Sequence, residues 1–261
     1  MRVGVVGFGN MGSAFAEGLS KRIGKERVLV FDIDPAKRDL AVGMGFPVAS
    51  DLIFLVRESD LVLLAVKPKD VKGVLETIKE DLGGKILGSV AAGVDTKTLK
   101  ELSGTDRVVR LMPNINVKVG KGTIAVAFGE GISEEEKGKV MDLFSSCGTL
   151  YTLPESLFDA FTALAGSGPA FVMVFIDALA MAGVREGFTY DQALRITLDT
   201  VLGTADLLKN LGGNPSEWVT KVTSPGGTTV EGIKVLEERG FRGAVMECVG
   251  KASEKARRLK A

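Results

Sequence analysis

The amino-acid sequence predicts an α/β chain in two parts, a mostly parallel sheet domain over residues 1–154 followed by an all-helical C-terminal domain over residues 155–261. Three observations predict it. Short β-branched runs alternate with helical apolar spacing up to residue 154, the pattern of parallel strands covered by helices on both faces. After Pro154 the β-branched runs cease, and helical patterns follow one another with Gly or Pro between them. A glycine-rich loop, "VGFGNMG", joins the first strand to the first helix.

The expected elements run in order. "RVGVVGF" is a strand and "MGSAFAEGLSKR" a helix, and the alternation continues through "RVLVFD", "PAKRDLAVGMG", "DLVLLAVKP", "KDVKGVLETIKEDL", "KILGSVAAGV" and "RVVRLMPNINV". "GTIAVAFG" and "TLYTL" finish the sheet, separated by the helical "SEEEKGKVMDLFSSCG". Beyond Pro154, "ESLFDAFTALAG", "PAFVMVFIDALAMAGVREG", "YDQALRITLDTVLGTADLLKN", "PSEWVTKV" and "TTVEGIKVLEERG" all read as helices. No repeat of fixed period and no low-complexity segment interrupts them.

Composition narrows the function. The 261 residues are 45% hydrophobic, with a mean hydropathy of +0.21, ample for a packed core. Lys+Arg and Asp+Glu balance at 33 each, so no nucleic-acid partner is expected, and the tail "KASEKARRLK" reads as the solvated face of a last helix. Cys147 and Cys248 lack metal-ligand spacing and read as buried small hydrophobes, which suits a reducing cytoplasm; no metal site is expected. The first strand starts right after Met1, so no signal or transit peptide is expected. No run of about 18 uncharged apolar residues is found; "PAFVMVFIDALAMAGV", interrupted by Asp177, reads as a buried helix, and no membrane partner is expected. That helix is apolar all round and needs a cover on every side, which a second copy of the chain would supply. Histidine is absent altogether, so any chemistry proceeds without imidazole.

Gly7, Gly9 and Gly12 spell G-x-G-x-x-G between a strand and a helix, with Asp32 at the end of the next strand. This is the Rossmann arrangement for a dinucleotide. Gly7 permits the tight turn, Gly9 lets the backbone approach a pyrophosphate, and Gly12 allows close helix packing; Phe8, Asn10 and Met11 complete the loop. A carboxylate at Asp32 accepts from a free ribose 2′-hydroxyl and repels a 2′-phosphate, so NAD(P)H is expected with a lean to NADH. Lys37 and Arg38 soften that lean, although they read as exposed first-turn residues.

A second glycine loop, "TSPGGTTVEGI", opens a later helix. Thr223 or Ser224 would cap it, Pro225 suits the entrance, Gly226 and Gly227 expose amides, and Thr228 and Thr229 add hydroxyls. Without Lys or Arg the loop suits a small carboxylate; equally, its glycines could serve only close packing of two helices.

"VTSPGGTTVEGIKVLEE" resembles the signature of the pyrroline-5-carboxylate reductase family, and "GFGNMGSA", "LAVKP", "AAGV", "RLMPNINVKVGKGTIAV" and "AGSGPAF" extend the resemblance over essentially the whole chain. The resemblance implies a substrate, pyrroline-5-carboxylate, with its carboxylate cradled by Ser224, Gly226, Gly227, Thr228 and Thr229. It implies that the Thr229 hydroxyl faces the ring nitrogen. It also places Ala65, Val66, Lys67 and Pro68, and Ala91, Ala92 and Gly93, at the nicotinamide half of the cofactor. Met112, Pro113 and Asn114, with Ser167 and Gly168, would line the transfer site. Pairing through intertwined helical domains, and a ring of such dimers, are implied as well.

The residue inventory points the same way. A ketone reduced to an alcohol needs a positioned proton donor, usually His or Lys, whereas a cyclic imine can be protonated before hydride arrives. The chain has no histidine and no lysine between Lys139 and Lys209, where β-hydroxyacid dehydrogenases of similar architecture place one. Such a dehydrogenase, an imine reductase with another substrate, and a non-catalytic dinucleotide sensor remain the alternatives.

Overall fold

The computed structural model describes residues 1–258, and the last two residues of the "KASEKARRLK" tail, Leu259 and Lys260, lie outside them. A seven-stranded sheet is formed by β1 (Val3–Val6), β2 (Val28–Phe31), β3 (Leu61–Leu64), β4 (Ile86–Ser89), β5 (Val108–Met112), β6 (Gly122–Phe128) and β7 (Gly148–Thr152). Their order is β2-β1-β3-β4-β5-β6-β7, and every neighbouring pair is parallel except β5 with β6. A single bridge from Val30 to Val48 adds a rudimentary position outside β2. The sheet therefore reverses its winding between β1 and β3, and a crevice opens at the carboxyl ends of these strands.

Both faces of the sheet are covered. Helices α1 (Asn10–Ile23), α2 (Pro35–Gly43), α3 (Leu52–Arg57), α4 (Pro68–Ile78), α5 (Thr96–Ser103) and α6 (Glu134–Phe144) connect the strands. One core gathers α1 and α6, where Phe15 and Phe144 meet edge to face at 5.7 Å; the other gathers Leu55, Val71, Leu75, Ile78 and Leu99 from α3, α4 and α5. Each such large side chain contributes about 1.5–3 kcal/mol on burial. Helices α3 and α5 appear in no sequence pattern above; Asp51 and Asp95 cap them by accepting from Phe54 and Thr98 amides.

The compact unit around this sheet comprises residues 1–166 together with residues 255–258, and Ser167–Glu254 forms a second unit. The sheet unit thus runs past Pro154: Phe158, buried, packs against Ala125 and Ala127 of β6. Here α7 (Phe158–Phe161) passes into a π-type turn, Thr162–Gly166. The second unit contains α8 (Gly168–Arg185), α9 (Tyr190–Leu211), α10 (Pro215–Val222) and α11 (Thr228–Glu238), and α12 (Phe241–Arg258) begins in it.

Helix α8, expected to need a second copy as its cover, is open within one chain: Val172, Met173, Val174, Phe175, Leu179 and Met181 are exposed, and Ala180 alone of its residues is buried. Two expectations are corrected. By length and composition the stretch Glu155–Arg185 is apolar enough to cross a membrane even with Asp177 in it, and the Asp177 carboxylate accepts from the Tyr190 hydroxyl at 3.0 Å. Cys248 is exposed on α12, whereas Cys147 is buried as expected, its thiol pushed up to about 12 by desolvation.

The start of α6 carries a capping box: the Ser133 hydroxyl accepts from the Glu136 amide, and the Glu136 carboxylate accepts from the Ser133 amide at 3.0 Å. Arg107 donates to the same carboxylate at 2.5 Å. The Ser133 amide first, and then Arg107, hold this carboxyl down at about 2 against an ordinary 4.5. A depressed folded-state value means the stabilisation is complete above the unfolded value and is lost as pH falls toward the folded one. Glu136→Gln is therefore expected to lower the melting temperature at pH 7, with the gap to wild type closing between pH 4.5 and about 2. A gap that stays constant over that window would remove Glu136 from the acid-labile stability.

Candidate active site

The first glycine loop turns at Gly7, whose φ of +94° favours glycine. At Gly12 a Cβ would overlap the Gly7 carbonyl oxygen, so α1 lies directly on the loop. Gly9 is the reverse case: nothing stands within 4 Å of an added Cβ there. It is the N-cap of α1 and supplies no side-chain cap, so the first amides of the helix face open space. This cradle fits a pyrophosphate.

Asp32 closes the loop from the side. Its carboxylate accepts from the Phe8 amide at 2.6 Å and from the Asp34 amide at 2.9 Å. The Phe8 ring itself is buried against Phe46, so Phe8 belongs to the core and contributes its backbone only. Gly7, Gly9, Asp32, Ala65, Val66 and Lys67 line one cavity of about 800 Å³. Lys37 and Lys69 line it as well, and Lys37 is half-buried rather than exposed, because α2 starts beside Asp32 with Asp34 as its cap. Asn10 and Met11 lie in the first turn of α1.

The remaining predicted residues sit at neighbouring strand ends. Pro68 is the first residue of α4 and follows Lys67, its N-cap. Ala91 is buried below β4, Ala92 is exposed, and Gly93 turns with φ +79°. Met112, the last residue of β5, and Pro113 after it are half-buried. Asn114 is tied into the fold: its Nδ2 donates to the Ala165 carbonyl at 3.0 Å, and its Oδ1 accepts from the Thr123 amide at 3.1 Å. Its side chain ties the segment after β5 to the π-type turn.

In the helical unit the second loop differs in detail from its reading. Thr223 ends α10, its hydroxyl donating to the Val219 carbonyl, and neither it nor Ser224 caps α11. Ser224 to Gly227 form a turn closed by the Gly227 amide on the Ser224 carbonyl at 3.0 Å, with Pro225 and Gly226 (φ +69°) in its centre. Gly227 becomes the N-cap and has no side chain to offer. The amides of the first turn of α11 thus face an exposed mouth, with the Thr228 and Thr229 hydroxyls beside them. Glu231 is the acidic residue of that turn.

Arg110 and Glu155 went unread in the sequence. Arg110, 3% exposed, donates to Glu155 at 2.8 Å. Glu155 also accepts from the Thr96 amide at 3.1 Å. Partners so far apart in sequence leave no local pattern.

Residues 155–259 match the family described as pyrroline-5-carboxylate reductase dimerisation, and residues 2–93 match NADP oxidoreductase, coenzyme F420-dependent. Over 260 residues the chain is 58% identical to a pyrroline-5-carboxylate reductase of Aquifex aeolicus, covering 99% of this chain and 97% of that protein. It is similar to a solved pyrroline-5-carboxylate reductase of Coxiella burnetii, with a TM-score of 0.92, 29% identity, and coverage of 100% and 98%. A Plasmodium falciparum pyrroline carboxylate reductase with NADP bound gives a TM-score of 0.88 at 30% identity, covering 100% of this chain and 98% of that one.

The two kinds of loop glycine predict different failures. Gly9→Ala should fold normally but weaken NADH binding by at least about tenfold, about 1.4 kcal/mol, since its methyl fills the cradle. Gly12→Ala should lose about 1–3 kcal/mol of stability, because backbone must move to admit the methyl. Nucleotide titration and thermal melting of both variants check this; a Gly9→Ala protein with wild-type affinity would refute the cradle.

Proposed function

The chain belongs to the pyrroline-5-carboxylate reductase family and is an NAD(P)H-dependent oxidoreductase of proline biosynthesis; from that premise we propose how its residues reduce L-1-pyrroline-5-carboxylate to L-proline. The observation that carries the reading is the pair of glycine-led helix mouths without side-chain caps, at α1 and α11. The α1 mouth, with Gly7 to Gly12, holds the cofactor's pyrophosphate, and Ala65 to Pro68, Ala91 to Gly93 and Met112 to Asn114 hold its nicotinamide half. The α11 mouth, from Ser224 to Thr229, takes the substrate carboxylate. When bound, reduced nicotinamide supplies the hydride for the imine carbon. The imine nitrogen keeps the electron pair of the former double bond and enters the reaction already protonated. Thr229 hydrogen-bonds that nitrogen and orients the ring, so the protein works through proximity and orientation.

NADH is the preferred donor in this reading, supported by the fixed carboxylate of Asp32. Lys37 and Lys69 in the same cavity moderate the preference. The active form is a homodimer built through the helical domain, and a second copy, not lipid, covers the apolar face of α8; dimers in turn assemble into rings. A cytoplasmic location completes the reading.

Following NADH and NADPH oxidation with pyrroline-5-carboxylate tests the function and the donor together. A higher kcat/KM with NADH is expected, and Asp32→Ser should shift the ratio toward NADPH while weakening both, because the Phe8 amide loses its anchor. A wild-type preference for NADPH would remove Asp32 from the ribose.

Thr229→Ala is expected to lower kcat/KM for the imine by about 1–3 kcal/mol, with NADH affinity nearly unchanged. Unaltered turnover in that variant would take Thr229 out of the site.

A further inference from the structure

Arg110 lies on β5 two residues before Met112, and it is the charged side chain buried among the described residues. Its guanidinium carbon stands 4.5 Å from the centre of the Phe158 ring, and its Nη1 donates to Glu155 Oε1 at 2.8 Å. The same carboxylate accepts from the Thr96 amide at 3.1 Å and from the Thr96 hydroxyl at 2.5 Å. Thr96 begins α5, three residues after Gly93. Three segments therefore meet on one carboxylate: the loop leaving β4, the strand leading to Met112, and the first residues after Pro154. A separate tie, from Asn114 to the Ala165 carbonyl, holds the far end of the last segment.

An ion pair with one buried and one half-buried member is weak evidence for stability, since apolar side chains of the same volume often serve as well. What it adds is direction: a guanidinium over a ring, bonded to a shared carboxylate, holds its partners in one geometry. We propose that Arg110 is a positioning residue for hydride transfer, acting through Glu155 to lock the Ala91–Gly93 loop and the Met112–Asn114 segment in mutual register. The proposal rests on the reading that these two segments hold the nicotinamide half. Misplacement by about 1 Å at such a site costs on the order of a hundredfold in rate.

The test compares Arg110→Met, Glu155→Gln and the double variant, with NADH as the nucleotide. Arg110→Met should lower kcat by about tenfold to a hundredfold, while the Kd of NADH and the KM of the imine move by less than about threefold. The isotope effect with NADH deuterated at the transferred position should rise, because transfer becomes the slow step. In nucleotide-free protein, hydrogen exchange at the Thr96 amide should quicken. The double variant should be no worse than Arg110→Met, since both act on one device. A folded Arg110→Met protein with kcat within about twofold of wild type, or a fall in kcat with an unmoved isotope effect, overturns the proposal. If Arg110→Met does not fold, Glu155→Gln takes its place, with the same changes expected and the same results overturning the proposal. Ala92→Trp separates the underlying reading: it should weaken NADH binding at least about tenfold. Unchanged affinity there overturns the cofactor placement, whereas unchanged kcat in Arg110→Met overturns the role of Arg110 alone.

Discussion

The close approach of α1 to the loop that feeds it is the constraint on which the sheet unit is arranged. Gly12 has no room for a Cβ against the Gly7 carbonyl, and Gly7 itself needs a positive φ to make the turn. With the helix seated so tightly, its first amides lie at the carboxyl edge of β1, beside the reversal of strand order. The Asp32 carboxylate then fixes the loop from the end of β2 through the Phe8 amide. One short segment thus sets helix packing, the opening of the helix mouth and the position of the Asp32 carboxylate.

The far side of the same edge is held by different means. The ladder between β4 and β5 ends at Ser89 and Arg110, and beyond it the shared carboxylate of Glu155 links Arg110 to Thr96 at the start of α5. The π-type turn at Thr162–Gly166 is tied to Asn114 by its Ala165 carbonyl. Such turns interrupt the regular ladder and need an outside partner for the carbonyls they release. Backbone sterics thus organise the sheet edge at β1, and side-chain hydrogen bonds contribute to the order of its far side.

What could be read in the sequence follows from this division. The Gly7–Gly12 loop and Asp32 were legible because each requirement is local and excludes other residues. The alternation of strands and helices was legible because a sheet buried on both faces makes continuous apolar runs, as in "DLVLLAV". Helix α3 escaped notice at six residues, too short to show a period. At the second loop the sequence shows an anion-ready mouth but not its cap, since a turn through Pro225 and Gly226 places Gly227, not Ser224, before α11. Asn114 was read as lining the transfer site, and its part as a structural tie went unread because its partner Ala165 is 51 residues away. Helix α8 was read as apolar all round, and correctly; its exposure in one chain shows only when the neighbouring helices are in place.

The lack of histidine finally gives the second mouth its meaning. An uncapped helix start without Lys or Arg attracts an anion through its dipole and its amides alone, a weaker hold than a guanidinium gives. That hold suits a small carboxylate that must leave again as product. The side chains at the α11 mouth are the hydroxyls of Ser224, Thr228 and Thr229 and the carboxyl of Glu231, with no imidazole or ammonium among them. A substrate needing a proton from such a group at the moment of reduction would find none there. In the proposed reading a cyclic imine brings its own, so the residues at this mouth would have only to bind and orient it, work for which two threonines at the head of a helix would suffice.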